Sequence, residues 1–470
     1  MNKVTRWTRT WGLTFLSFVA VSLQLSAQQF TTLVNFNLSN GANPQMAFIE
    51  GKDGNLYGTT TGGGAQVCCG TIFKISTSGD FKTIYNFQSG SGDGPTSLFL
   101  APNGTYFGTT IIGGEADWGT VFRSYKKGIV TVHSFTCDQN CEGGIVPEAG
   151  VVQGVDGMFY GTTAGGGKNK NGTVFKVASD GRFKTLYKFS GPDGSEPYAG
   201  LTLGIDGDLY GTTEFGGENC IGCGNIFKIT TDGNLTVIHD FNGVDGESSF
   251  QLVQGTNGIL YGTTPGGGFN DQGTVFSITP DGTFTTLYTF CAQPGCSDGS
   301  GPSAALMQAS DGNFYGVTGY GGDLTCRPPD GCGVLFRISA SGNFDIVHNF
   351  ESTEGRIPNQ LFQHTNGKLY GATFFGGSQD DGTVFSLDLG FSPFVAFLRA
   401  YGKIGETGGI VGQGFTGTTA VTINGVSATF KVVSDTYLTA IVPQGATTGY
   451  VTVITPNESL TSNVPFRVIP

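Results

Sequence analysis

Short runs of alternating apolar and polar residues, four to seven long and rich in β-branched and aromatic side chains, recur between glycine-containing turns. That period is the signature of half-buried strands. The runs also keep a fixed order. Tyr57-Gly58-Thr59-Thr60 returns with its aromatic at Phe107, Tyr160, Tyr210, Tyr261, Tyr315 and Tyr370, at intervals of 50, 53, 50, 51, 54 and 55 residues. Gly70-Thr71-Ile72-Phe73 follows each copy, with its Phe at 122, 175, 227, 276, 336 and 385. A third phrase, Phe81-Lys82-Thr83-Ile84-Tyr85-Asn86-Phe87, ends again at Phe135, Phe189, Phe241, Phe290 and Phe350. A weaker apolar run precedes each aromatic-Gly phrase, as in Val151-Val152-Gln153. The spacing predicts four strands per unit, A to D.

Turn chemistry supports that count. Asp-Gly or Asn-Gly separates A from B at Gly54, Gly104, Gly157, Gly207, Gly258, Gly312 and Gly367. A second glycine turn separates C from D at Gly79, Gly128, Gly181, Gly233, Gly282 and Gly342. Both supply the positive φ that tight hairpins require. The seventh unit ends after strand C, near Leu387, and the D phrase it lacks stands at the other end of the chain, as Phe30-Thr31-Thr32-Leu33-Val34-Asn35-Phe36. An open array has no use for that arrangement. A closed ring does, because the N-terminal strand then completes the last blade and leaves no edge unpaired. The expectation is an all-β chain: a seven-bladed β-propeller over residues 28–389, then a small β-sandwich over 392–470.

Composition sharpens this picture. Glycine makes up 79 of 470 residues, about 17% against a usual 7%, and opposes long helices. Aromatics at 12% are too many for a chain that stays unfolded. The formal net charge of −12, with only 13% of residues charged, argues against a nucleic-acid partner. Lys3, Arg6 and Arg9, the apolar run Trp11 to Leu25 and the small residues Ser26-Ala27 have the form of a secretory signal, residues 1–27. No later run is long enough to span a membrane. The expected product is exported, to the periplasm, cell surface or medium, and monomeric.

The phrases Leu56-Tyr57-Gly58-Thr59-Thr60, Gly172-Thr173-Val174-Phe175 and Phe183-Lys184-Thr185-Leu186-Tyr187 resemble the bacterial tandem repeat called GloVer. The resemblance covers all seven units and implies an exported protein, without implying an activity. In the tail, Gly412-Gln413-Gly414-Phe415, Val421-Thr422-Ile423-Asn424-Gly425 and Tyr437-Leu438-Thr439-Ala440-Ile441-Val442-Pro443 resemble an IPT/TIG immunoglobulin-like domain. That resemblance implies spacing or partner contact.

Candidate chemistry falls on one face. The B-to-C and D-to-A loops are long and variable, and loops on a rigid scaffold are where sites are built. All ten cysteines lie there in five local pairs: Cys68/Cys69, Cys137/Cys141, Cys220/Cys223, Cys291/Cys296 and Cys326/Cys332. In an exported protein they read as disulfides pinning glycine-rich loops. A zinc site or a Cys220-x-x-Cys223 redox couple are the sharper alternatives, and pairing of Cys68 or Cys69 with another loop stays open. His133, His239 and His348 share the register of Tyr85, Tyr187 and Tyr288, so they read as D-strand members. Strand A opens after a proline in six units and after Ser248 in the fifth. The residues that follow, Gln45, Thr96, Glu148, Tyr198, Ser249, Ser303 and Asn359, are expected to ring the channel mouth and bind ligand. Glu148, Glu196 and Glu247, from successive units, would be the acids of a glycoside-cleaving site, with Glu214 and Glu218 in an adjacent loop. The same carboxylates could hold Ca²⁺. No other cofactor and no metal site is expected.

Three functions stay open at this point: a non-catalytic propeller binding a protein or glycan, a carbohydrate-active hydrolase or lyase, and a structural surface protein.

Overall fold

The computed structural model describes residues 29–469, apart from residues 46, 47, 89, 91, 126, 127, 139, 219 and 221. The expected signal segment 1–27 therefore lies outside the described residues. Strand is the only regular structure among them besides a three-residue 3₁₀ turn at Pro294–Cys296. Among the described residues no helix is long and apolar enough to cross a membrane.

Residues 29–388 form seven antiparallel sheets of four or five strands. The third is representative: Val152–Gln153, Phe159–Thr163, Thr173–Val177 and Phe183–Lys188 lie in that order across the sheet. Strand A is shorter than the apolar pattern predicts, only two residues in the third, fourth and fifth sheets. Glycines such as Gly150 and Gly200 stand between the proline and the paired residues. The D strand of the last sheet is the N-terminal strand Gln29–Asn35, antiparallel to Thr383–Asp388 with Gln29 opposite Asp388 and Asn35 opposite Thr383.

The recurring phrases have packing reasons. Tyr160 donates its hydroxyl to Asp156 of the A-to-B turn at 2.7 Å. A Cβ on Gly161 would come within 2.5 Å of the Phe175 ring, so Gly in strand B and Phe in strand C require each other. Thr163 and Thr173 share a buried hydroxyl hydrogen bond of 2.8 Å across strands B and C. Thr162 donates to the Ala199 carbonyl of the next sheet at 3.1 Å. In all seven C–D pairs the register slips by one residue. This bulge adds an apolar residue, Leu186 in the third unit, that packs against the following sheet.

Seven apolar clusters join consecutive sheets. One of them packs Val34, Phe36, Tyr370 and Val384 of the last sheet against Phe48, Leu56, Phe73 and Ile75 of the first.

Residues 396–469 form two further four-stranded sheets and a parallel pair, Tyr401–Lys403 with Arg467–Ile469. Their core centres on Phe415, Leu438, Val453 and Leu460. This domain touches the A-to-B turns. Tyr401 donates to the Gly154 carbonyl at 2.8 Å, Thr436 to the Lys52 carbonyl at 2.8 Å and Gln413 to Thr365 Oγ1 at 3.0 Å. The Lys52 ammonium lies 4.7 Å from the centre of the Tyr437 ring.

Candidate functional site at the long-loop mouth

The residue before the proline that leads into strand A, or before Ser249 in the fifth unit, adopts a left-handed backbone in every unit: Asn43, Gly94, Val146, Glu196, Ser248, Gly301 and Ile357, with φ between 52° and 63°. For β-branched Val146 and Ile357 this conformation is costly and must be imposed by surroundings. Its amide is held by the preceding unit's loop: Val146 N–H donates to Trp118 O, Glu196 to Asn171 O and Ser248 to Cys223 O, all at 2.9–3.0 Å. The resulting kink turns the following residues toward a shared cavity of about 400 Å³.

Six of the seven predicted mouth residues line that cavity: Gln45, Glu148, Tyr198, Ser249, Ser303 and Asn359. Thr96 does not. It is fully buried, within 2.6 Å of the Thr109 hydroxyl, and its carbonyl accepts from Thr59. A second cavity of about 200 Å³ shares Gly200, Gln251 and Gln360 with the first and continues among Phe48, Leu98, Val151 and Leu201.

The three glutamates do not converge. Glu148 lines the cavity. Glu196 accepts the Tyr198 hydroxyl at 2.9 Å. Glu247 is not among the lining residues; it bridges Gly266 through its backbone, as Ser195 bridges Phe215 one unit earlier. The fifth unit is one residue shorter before strand A, so Ser248 takes the place of Glu196 rather than of a proline. The alignment that set Glu247 beside Glu196 is displaced by that deletion.

Glu214 joins Glu148 on the cavity wall instead. It is the first residue after Gly211-Thr212-Thr213, and Pro265 and Phe374 line the cavity from equivalent positions. In the fourth, fifth and seventh units the residue after this phrase is thus a second mouth position, readable from the repeat. Burial pushes the Glu148 carboxyl above its usual range, and the nearby Glu214 carboxylate adds to this. Burial, then Glu196, raises Glu214 likewise. The Tyr198 hydroxyl is also raised, by burial and by its bond to Glu196. Glu218 is exposed on the adjacent loop.

All ten cysteines are paired as the local disulfides expected: Cys68–Cys69, Cys137–Cys141, Cys220–Cys223, Cys291–Cys296 and Cys326–Cys332. In these loop pins four of the cysteines are themselves buried: Cys69, Cys141, Cys223 and Cys332. Cys332 packs with Leu335 and Phe350 in the core between the sixth and seventh sheets. Cys223 packs with Ile226 and Phe241, and Cys69 with Ile72 and Phe87, in the equivalent cores of their own units. Each of these three directly precedes the glycine that opens strand C, where the loop has already returned to the sheet. Cys141 sits in the D-to-A loop with a left-handed φ of 48°, its carbonyl accepting from Gly144 and Gly167 N–H at 2.9 Å. A bridged sulfur is apolar enough to be buried there, so these four anchor the loops to the core and present no thiol to a ligand or metal.

Among the described residues no cluster of three or more His, Cys, Asp or Glu is arranged to hold a metal ion. The strand D histidines stack between units: His133 on Phe183 at 3.8 Å, His239 on Phe284 at 4.0 Å and His348 on Phe30 at 4.4 Å. His364 is fully buried on the short-turn side, its Nε2 3.1 Å from the Gly54 carbonyl oxygen.

Sheets of four strands packed side by side around a shared cavity define an all-β, propeller-like fold. Solved structures agree. A streptogramin B lyase matches at 15% identity over 77% of this chain and 97% of its own, with a TM-score of 0.51. A fungal alcohol oxidase of the AA5 family, solved with copper, matches at 12% identity over 94% of this chain and 99% of its own, also with a TM-score of 0.51. At these identities the likeness is one of fold. No curated protein matches the chain in sequence. The Gloeobacter/Verrucomicrobia repeat model matches residues 15–149, 132–327 and 221–431, so the chain belongs to that repeat family. An IPT/TIG domain matches residues 396–468.

Proposed function

We propose that this is an exported, non-catalytic binding protein whose propeller takes a protein or glycan ligand at the long-loop mouth. The ring in this reading has seven blades spanning residues 28–389, with Gln29–Asn35 completing the last. The antiparallel pairing of that strand with Thr383–Asp388 supports closure, as does the cluster linking Phe36 to Phe73. The observation that carries the binding role is the cavity of about 400 Å³ assembled from equivalent positions of six units. Its wall mixes Tyr198, Phe250 and Phe374 rings with amides, hydroxyls and two carboxylates, a lining suited to a polar ligand with stacking faces. The IPT/TIG domain, bonded to the A-to-B turns, acts as a fixed attachment that leaves the opposite face for the ligand.

A hydrolase or lyase is the second reading, favoured by Glu148 and Glu214 sharing one cavity with both carboxyls raised. A glycan array and a hydrolysis panel on the wild type and Glu148→Gln separate the two. Binding without turnover, weakened by the substitution, supports the first. Turnover that the substitution abolishes replaces it with the second.

A further inference from the structure

One junction between units breaks the pattern of the others. Elsewhere a side chain of strand D meets bulk at the start of the next D strand: Tyr288 stacks on Phe344 at 3.9 Å, as the three histidines stack on their phenylalanines. Tyr187 packs with Leu235, and Val34 with Phe81. Tyr85 meets Ile129 at that position, and both pack on the cluster between the first and second sheets, so the bulk there is an aliphatic side chain, as with Leu235. The bulge residue differs. Leu33, Val132, Leu186, Ile238, Leu287 and Val347 all pack into inter-sheet clusters, whereas Ile84 is 37% exposed. Half-buried Tyr106 stands where the other units bury a Leu or Phe completely or nearly so.

These departures open a groove of about 680 Å³ on the outer side of the ring, between strands Phe81–Asn86 and Gly128–Ser134. Tyr85, Tyr106 and Tyr125 line it, the last of them 50% exposed. Among the described residues its charged side chains are Lys82 and Arg123, with no Asp or Glu lining it, on a chain of net charge −12. Neither cation forms an ion pair among the described residues. The Asp53 carboxylate nearby is engaged by the Tyr57 hydroxyl at 3.0 Å and by Lys74 at 3.2 Å.

We propose that this groove binds a carboxylated polysaccharide strand. Sugar rings would lie on the tyrosine faces, which present apolar area with a polar edge. Uronate carboxylates would pair with Arg123, whose guanidinium matches their geometry, and with Lys82. The site is separate from the channel mouth, and its ligand class follows from charge complementarity.

Calorimetric titration of the full chain with a galacturonate hexamer tests this, beside neutral cellohexaose and a sulfated heparin hexasaccharide. The expected result is saturable binding of the galacturonate, at least about tenfold tighter than cellohexaose and weakened by added salt. Lys82→Gln with Arg123→Gln, and separately Tyr125→Ala, each lower that affinity about tenfold or more while leaving the circular dichroism spectrum unchanged. Lys184→Gln, at the position of Lys82 in a filled junction, leaves it unaltered. Absence of galacturonate binding, equal binding of cellohexaose, binding of the sulfated sugar alone, or unchanged affinity in the substituted proteins overturns the proposal.

Discussion

The Phe36 ring meets the Phe73 ring edge-on at a centroid distance of 5.4 Å and an angle of 63°. The same contact joins Phe87 to Phe122, Phe135 to Phe175, Phe189 to Phe227, Phe241 to Phe276, Phe290 to Phe336 and Phe350 to Phe385, all between 5.2 and 5.6 Å. Six of these link strand D of one unit to strand C of the next along the chain. The Phe36 contact alone is reached from the N-terminal strand.

If the N-terminal strand closes the ring, Phe36→Ala should cost as much as Phe87→Ala, about 3–5 kcal/mol for a buried ring. Urea unfolding followed by tyrosine fluorescence measures both. A negligible cost at Phe36 beside a large one at Phe87 would mean that the first strand is an appendage.

Gly161→Ala should destabilise by about 1–3 kcal/mol, because the new methyl group displaces the Phe175 ring. Gly157→Ala lies at a turn where an added Cβ meets nothing within 4 Å. Its cost is confined to the positive φ of 79°, about 1 kcal/mol. Thermal melts of the two variants should rank them in that order.

Burial pushes the His133 imidazole down to about 4 from its ordinary 6.5. The unfolded chain therefore takes up a proton that the folded chain refuses, and stability falls as pH drops from 6.5 toward 4. His133→Tyr places the residue of other units in that register and removes the proton uptake. At pH 7.5 the two proteins should melt within a few degrees of each other. At pH 5 the Tyr variant should have gained about 2 kcal/mol relative to the wild type. A constant difference across that range would contradict burial of a neutral ring.

The tail domain should unfold together with the propeller. Tyr401→Phe, Thr436→Val and Gln413→Ala together remove three interdomain hydrogen bonds, each worth about 1 kcal/mol. Calorimetry should show one transition for the wild type and a lower or divided one for the triple variant. Identical traces would show that the attachment does not depend on these bonds.

Much of the fold was legible because each unit repeats its own constraints. Gly161 opposite Phe175, the Tyr160–Asp156 bond and the threonine pairs are local, so they recur as phrases. The mouth was legible in five positions where Pro followed by one variable residue marks the kink into strand A, while Ser249 reaches the wall from the place of the proline itself. The disulfide partners were legible from spacing, but the burial of Cys141 and Cys332 was not, because it depends on where each loop rejoins the sheets. What else escaped lies between units or depends on a single deletion. Losing one residue before strand A moved Glu247 off the mouth, and nothing in its neighbours' composition signals that. Glu214 carried a signal, its place after Gly-Thr-Thr. The docking of Tyr401 on Gly154 joins residues 247 apart and follows no period. The groove at Tyr85 depends on an exposed Ile84 and a half-buried Tyr106 where other units pack their side chains inward, and a repeat reveals such departures only when their partners are known.

The most direct test of the central claim is to fill the mouth. Ser303 is small and half-buried on the cavity wall, its hydroxyl donating to the Pro358 carbonyl at 2.6 Å, so Ser303→Trp fills the space at the cost of that bond. The tightest array ligand should be titrated into wild-type and substituted protein of matched melting temperature. Binding at the mouth predicts an affinity loss of at least about tenfold. Undiminished affinity would place the ligand elsewhere and contradict the account.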